Sequence, residues 1–249
     1  MQENTSKAVL ITGANRGIGL QMVRSFAQNG YNIWACARKH TTEYEQTMTQ
    51  IAEENGVWVQ PLYFDMTNYD AMKAEITEKV LKSNSTVDVL VNNAGVAHGG
   101  FFSMTKVAAI RDVFEVNLFA GMELTQLVIR KMIRQKSGCI INMSSIAAFN
   151  LRPGNSAYGV SKVAVKAWTE TLGAELAQYG IRVNAIAPSL TDTEMARQME
   201  EKAEEQMIHA SAMGRLAKTE EISDVAVYLA SDKASFINGQ TIVVNGGEA

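Results

Sequence analysis

The sequence carries only two cysteines, Cys36 and Cys139, in 249 residues, each inside a short apolar run. Neither a disulfide framework nor a zinc cluster can be assembled from them, so two buried thiols in a reducing cytoplasm are expected, with no metal site. Proline is equally scarce: Pro61, Pro153 and Pro188 are scattered, with no linker, repeat or low-complexity tract around them. An excess of one charge is also missing, since 23 basic residues face 26 acidic ones for a net charge of −3. That balance lacks the basic stripe of a nucleic-acid binder. No apolar run approaches the roughly 18 residues that span a bilayer. The opening "MQENTSKAVL" lacks the apolar core of a targeting signal. A cytoplasmic chain without nucleic-acid or membrane partners is therefore expected.

What the chain does have is alternation. Short apolar runs occur at 8–12, 32–37, 57–64, 87–91, 139–143, 181–187 and 241–244. Between them, stretches at 18–29, 42–54, 68–82, 104–135, 156–179 and 219–230 carry apolar residues at helical spacing. Continuous apolar strands separated by helices indicate a parallel sheet covered on both faces, an α/β doubly wound fold that uses nearly the whole chain as one domain, 1–249. Six of the runs lead directly into small, polar or charged residues, including "TGANRGIG", "NNAG", "SS" and "PSLTDT". In an open parallel sheet the ligand lies beyond the carboxyl ends of the strands, where all these groups gather.

The stretch "TGANRGIG", Thr12 to Gly19, follows the first strand and opens a helix. Glycines at 13, 17 and 19 allow a tight turn and a close backbone approach to a pyrophosphate, which the helix's free N–H groups and dipole would hold. The second strand reports on the adenosine ribose. Dinucleotide sites that take NAD place an acid near its end to bind the 2′-hydroxyl. This strand instead ends "ACARK". Arg38 there and Arg16 in the glycine turn suit a 2′-phosphate, unless both are solvated surface arginines. Asp65, ending the third strand, either accepts a hydrogen bond from an adenine amine or stabilises the start of the next helix.

In "NSAYGVSKVAV", Tyr158 and Lys162 stand four apart and share one helix face. An ammonium beside a phenol favours the phenolate and draws its pKa down from about 10, suiting it to general acid–base work. The same spacing also arises on any amphipathic helix.

Taken together, "TGANRGIG", "NNAG" at 92–95, Asn117 in "FEVNLF", Ser145 in "NMSSIAA", "YGVSK" at 158–162 and "RVNAIAP" at 182–188 resemble the short-chain dehydrogenase/reductase family over essentially the full chain. The resemblance implies a single Rossmann-type domain, a seven-stranded sheet of order 3-2-1-4-5-6-7, and NAD(P)-linked interconversion of carbonyls and alcohols. It makes Tyr158 the acid that protonates the carbonyl oxygen. Lys162 would tune that tyrosine and hold ribose hydroxyls. Ser145, rather than its neighbour Ser144, would bind the substrate oxygen, and Asn117 would anchor a water joining Lys162 to solvent. Asn117's alternative is a buried amide that kinks or caps its helix. For NADP(H) the implied contacts are Gly13, Asn15, Arg16, Gly17, Ile18 and Gly19 in the turn, with Arg38, Asp65 and Met66. Asn92, Ala94 and Gly95 follow, then Tyr158 and Lys162, and finally Pro188, Thr191 and Thr193. Two positions depart from the family pattern: Ser189 stands for a glycine after Pro188, and Asn245 for an aspartate before Gly246 and Gly247.

Within the family the likeness is to bacterial 3-oxoacyl-acyl-carrier-protein reductases. Their acidic carrier partner implies basic groups at the site mouth. Lys136 is read as one such group, whereas Tyr179 stands where a second arginine is often found. The runner-up substrates are free ketones, steroids or sugars; a non-catalytic NADPH-binding sensor is disfavoured by the intact Asn117, Ser145, Tyr158 and Lys162. A mobile lid is expected at about 190–217, with His98 and His209 as candidate neighbours of the pocket. The helix at 156–179 is apolar around most of its circumference, which indicates burial on more than one side. With the family resemblance, this points to a homotetramer built on that helix and the one ending near Gln135.

Overall fold

A computed structural model of the chain describes residues 7–194 and 208–248. Of the expected lid, residues 195–207 lie outside the described residues. Seven parallel strands form one sheet in the order β3-β2-β1-β4-β5-β6-β7. They are β1 (Ala8–Ile11), β2 (Asn32–Ala37), β3 (Val59–Tyr63), β4 (Val89–Asn92), β5 (Gly138–Met143), β6 (Ile181–Pro188) and β7 (Thr241–Val244). The order expected from the sequence is the order found.

Side chains on neighbouring strand positions point to opposite faces, so every central strand must be apolar on both. In β1, Val9 and Ile11 join a core with Phe26 of α1 (Gly17–Gln28), Met48 of α2 (Thr42–Asn55) and Ala226 of α7 (Thr219–Ala230). Ala8 and Leu10 face the other way. They pack with Met72 of α3 (Tyr69–Ile76), Leu124 and Val128 of α5 (Ala120–Gln135) and Leu176 of α6 (Tyr158–Leu176). Cys36 and Cys139 are free and buried, and burial pushes both thiols up.

The long helical patterns are less regular than their spacing suggests. The 104–135 stretch splits into α4 (Val107–Phe114), a π turn at Glu115–Phe119 and α5. The 68–82 stretch ends in a second π turn, Thr77–Leu81. An extra residue in a helical turn is invisible to a periodicity of 3.6, and such bulges often sit where a side chain must be aimed at a site. Asn117 occupies the first of them. No helix among the described residues is long and apolar enough to cross a membrane.

Candidate active site

The glycine turn has the geometry of a phosphate cradle. Gly13 and Gly17 take positive φ (64° and 53°), and a Cβ on Gly19 would lie 2.0 Å from the Gly13 carbonyl oxygen. Helix α1 starts at Gly17 with no side-chain cap at Arg16 and no acid in its first turn. Its leading N–H groups are therefore left for an anion, which fits a dinucleotide pyrophosphate. The turn is stitched to its surroundings. Ala14 N–H donates to the Cys36 carbonyl (2.9 Å), bringing the turn beside the end of β2 and Arg38.

Within "NNAG" the two asparagines do different work. Asn93, which sequence reasoning passed over, donates its amide to the carbonyls of Thr12 (2.9 Å) and Gly13 (3.2 Å). Thr12 Oγ1 in turn accepts from the backbone N–H groups of Asn93 and Ala94. Asn92, expected beside the adenosine ribose, donates its amide nitrogen to Thr125 Oγ1 on α5 and to Asn142 Oδ1 on β5. Its Oδ1 is buried without a partner among the described residues.

Arg38 is exposed at the end of β2, while Arg16 already pairs with Glu194 at 3.6 Å. Asp65 Oδ1 accepts from both the N–H and the hydroxyl of Thr67, bonds that hold its carboxyl below the usual carboxylate range. The following helix is capped by Asn68, so Asp65 stabilises the turn before α3 rather than the helix start. Met66 packs partly buried against the core, and Ile18 does so on the other face. Asn15 is exposed in the turn.

At the centre, Tyr158 opens α6 and Ser145 ends the strand–loop junction after β5. Ser145 stands beside the Tyr158 hydroxyl, and its Oγ accepts from Ala147 N–H (3.1 Å). Ser144 is excluded from that role. Its hydroxyl donates to the Lys162 carbonyl (3.0 Å) and its N–H to the Ile186 carbonyl. Lys162, only 5% exposed, donates from Nζ to the Met143 carbonyl at 2.8 Å. The ammonium lies 5.7 Å from the centroid of the Tyr158 ring. Burial draws Lys162 down from 10.5 to about 8.

Burial raises the Tyr158 phenol above its ordinary value, and the bond with Ser145 opposes this only in part. The depressed phenol expected from the Tyr–Lys spacing is thus corrected. Helical spacing puts the two groups on one face, but it does not report how deeply the hydroxyl is buried, and desolvation favours the neutral phenol.

Asn117 is a clamp. Its Oδ1 accepts from Val96 N–H (2.8 Å), and its Nδ2 donates to the Val96 carbonyl and to Ser161 Oγ, both at 3.0 Å. Both amide hydrogens are spent on fixing the strand-end loop to α6. Gly95 fits beneath, since a Cβ there would stand 3.2 Å from Asn117 Oδ1 and 3.5 Å from Lys162 Nζ. Ser161, fully buried, was not singled out in the sequence because serines on helices are common.

The far walls depart more from expectation. Ser189 does not take a positive φ; its N–H donates to the Val244 carbonyl (3.0 Å), so the missing glycine is accommodated without strain. Pro188 ends β6. Thr191 is buried and turns its hydroxyl back to the Ser189 carbonyl, closing a short bridge with Ala217. Thr193, two residues on, faces the glycine turn: a Cβ on Gly17 would meet its Cγ2 at 3.3 Å. His98 is half-buried and His209 exposed.

Lys136 requires a correction. Strand β5 runs from Gly138 to Met143, so Lys136 precedes its amino end while Ser145 lies beyond its carboxyl end. Within one chain Lys136 therefore sits at the opposite edge of the sheet from Tyr158. Tyr179, just before β6, shares that edge. Proximity in sequence to Ser145 was misleading because a parallel strand separates its two ends by its full length.

A family model described as "Enoyl-(Acyl carrier protein) reductase" matches residues 13–248. A 3-oxoacyl-[acyl-carrier-protein] reductase, FabG, of Thermotoga maritima is 37% identical over 241 residues, covering 97% of each chain. Among solved structures, a putative gluconate dehydrogenase from Agrobacterium tumefaciens superposes with a TM-score of 0.91 at 27% identity, covering 97% of this chain and 95% of that one. A gluconate 5-dehydrogenase from Burkholderia cenocepacia, in complex with NADP and tartrate, gives 0.89 at 31% identity over 97% and 94%.

Proposed function

Because the chain belongs to the short-chain dehydrogenase/reductase family, we propose that it is an NADPH-dependent reductase of 3-oxoacyl thioesters, with Tyr158 as general acid. The observation that supports this reading is the grouping of Lys162 Nζ 5.7 Å from the centroid of the Tyr158 ring, with Gly95 beneath that ammonium and its neighbour Ala94 packed against Gly13 of the glycine turn. The chain acts as one dinucleotide-binding unit.

When bound, NADPH supplies the hydride. Tyr158 holds the proton that the carbonyl oxygen must receive, and its raised pKa keeps the phenol protonated at neutral pH. Ser145, whose oxygen already accepts from Ala147, has its hydroxyl proton to offer a substrate oxygen placed beside Tyr158. The carbonyl is thereby polarised by two hydroxyl groups where negative charge develops. Lys162, tethered to Met143, keeps a positive charge next to the phenol and stabilises it after the proton has left. Gly13, Gly17 and Gly19 would cradle the pyrophosphate, and Arg16 and Arg38 would receive the 2′-phosphate. Thr193 closes over the turn.

A reductase of a free ketone, steroid or sugar is the second reading, favoured by the position of Lys136 and Tyr179 far from the mouth in one chain. The test compares kcat/KM for free and carrier-bound 3-oxoacyl thioesters in wild type and Lys136→Glu, at low and high salt, with an enoyl thioester as control. The expectation is turnover of the 3-oxoacyl substrate, little gain from the carrier and no change in Lys136→Glu. A large carrier advantage that collapses in the mutant and in salt, as the Debye length shrinks from about 10 Å to 3 Å, would show steering by that lysine. No turnover of either thioester would move the substrate to another ketone class.

Assembly is part of the same proposal. Phe101, Phe102, Met104 and Val107 are exposed before and on α4, Phe119 at the end of the first π turn, and Val160 on α6. Exposed apolar side chains of this size mark interaction surfaces. A homotetramer that covers them is expected in sedimentation at micromolar protein, and a monomer would refute it.

A further inference from the structure

The segment after β7 is more than a chain end for the sheet. Glu248 has a side chain only 4% exposed, and its Oε1 accepts from Arg152 Nη2 at 3.0 Å. A carboxylate removed from water this completely needs a charged partner. Arg152 belongs to the connection between Ser145 and Tyr158.

From Arg152 the contacts run directly to the reacting tyrosine's helix. The Arg152 carbonyl accepts from Asn155 N–H (3.2 Å), and the Asn155 carbonyl accepts from Gly159 N–H (2.8 Å), next to Tyr158. The turn presses on that helix, since a Cβ on Gly159 would lie 2.9 Å from Leu151 Cδ2. Its Gly154 carbonyl also accepts from Gly100 N–H, on the loop after β4 (2.8 Å).

In the other direction the segment grips the Ser211–Met213 turn. Met213 N–H donates to the Gly246 carbonyl (3.1 Å), as does the Ser211 hydroxyl (3.3 Å). A Cβ on Gly246 would come within 2.5 Å of Ser211 Oγ. Here the substitution of asparagine for the family's aspartate has a use. Asn245 Nδ2 donates to the Glu248 carbonyl at 2.6 Å, a bond that a carboxylate could not make, and its Oδ1 accepts from Gly247 N–H. The amide holds the segment in the tight turn that delivers Glu248 to Arg152.

We propose that Glu248 is a positioning residue. Through Arg152 it locks the connection carrying Ser145 and Tyr158 to the Ser211–Met213 turn, fixing the substrate side of the site without contacting the cofactor. The inference rests on the proposed role of Tyr158.

The experiment measures NADPH affinity by fluorescence titration, the melting temperature, and kcat and KM separately for a free 3-oxoacyl thioester. The proteins are wild type, Glu248→Gln, Arg152→Gln and the charge-exchanged double variant Arg152→Glu/Glu248→Arg. NADPH affinity should stay within about twofold in every variant. For the substrate, Glu248→Gln should cost about tenfold in kcat/KM. Arg152→Gln should cost more than Glu248→Gln, because it strands a buried carboxylate rather than neutralising it. The double variant should recover part of the loss. Unchanged kcat and KM in both single variants would overturn the proposal. So would a parallel loss of NADPH affinity and melting temperature, which would mean that the pair only holds the fold. If wild type and Tyr158→Phe turn over carbonyl substrates equally, the reading of the site itself fails, and that outcome is seen before any Glu248 variant is compared.

Discussion

Tyr158→Phe is expected to cut kcat by about 10²–10⁴, the usual contribution of general acid–base catalysis, while NADPH binds nearly as well as before. The substitution removes one hydroxyl, the partner of Ser145, and leaves the ring over which Lys162 lies. Lys162→Ala should cost almost as much. The two losses should not add, because hydroxyl and ammonium act as a unit. The pH dependence follows from the direction of each shift. Tyr158, raised by burial, stays protonated through neutral pH, so reduction should not weaken there. Lys162 loses its proton as pH rises through about 8, and reduction should decline on that limb. Stability runs the other way. Lys162 titrates at about 8 when folded and 10.5 when free, so between those values the unfolded chain binds more protons and stability rises with pH. Near-normal turnover in the phenylalanine variant, measured with saturating NADPH, would remove Tyr158 from the mechanism.

Arg38→Asp is expected to reverse or abolish the preference for NADPH. A charge-assisted bond to a phosphate contributes on the order of 1.5–3 kcal/mol, about 10- to 150-fold in affinity. Aspartate at the same place repels the 2′-phosphate and offers an acceptor to a 2′-hydroxyl. Arg38 is exposed at the end of β2, where nothing apolar must be rebuilt, so the fold should survive the change. Arg16 is less available, because Glu194 competes for its guanidinium at 3.6 Å. Its removal should accordingly cost less than that of Arg38. Titration of both variants with NADPH and NADH checks this. Equal affinity of the wild type for the two cofactors would contradict the reading of the second strand.

The strands were legible in the sequence because a parallel sheet buried on both faces demands uninterrupted apolar runs; "NIWACA" became β2 without a residue's difference. The helices were legible in extent but not in interior. No periodicity announced the π turn that carries Asn117. Placement was readable where residue type and spacing suffice: the glycine turn follows β1, and Tyr158 and Lys162 come together on α6, although the direction of the phenol's shift was not. It was not readable where partners are distant in sequence. Asn93 reaches back to Gly13 across 80 residues, and Glu248 meets Arg152 across 96. Lys136 failed for the opposite reason: it is close in sequence to Ser145 but separated from it by the length of β5.

The most direct test of the central claim is to supply NADPH carrying deuterium on the reactive nicotinamide carbon, together with a 3-oxoacyl thioester, and to locate the label in the product by mass spectrometry. A 3-hydroxyacyl thioester bearing deuterium on the former carbonyl carbon, formed by wild type and lost about 10²–10⁴-fold in Tyr158→Phe, is the predicted result. Unlabelled product, label on a saturated carbon–carbon bond from an enoyl substrate alone, or undiminished transfer in Tyr158→Phe would contradict it.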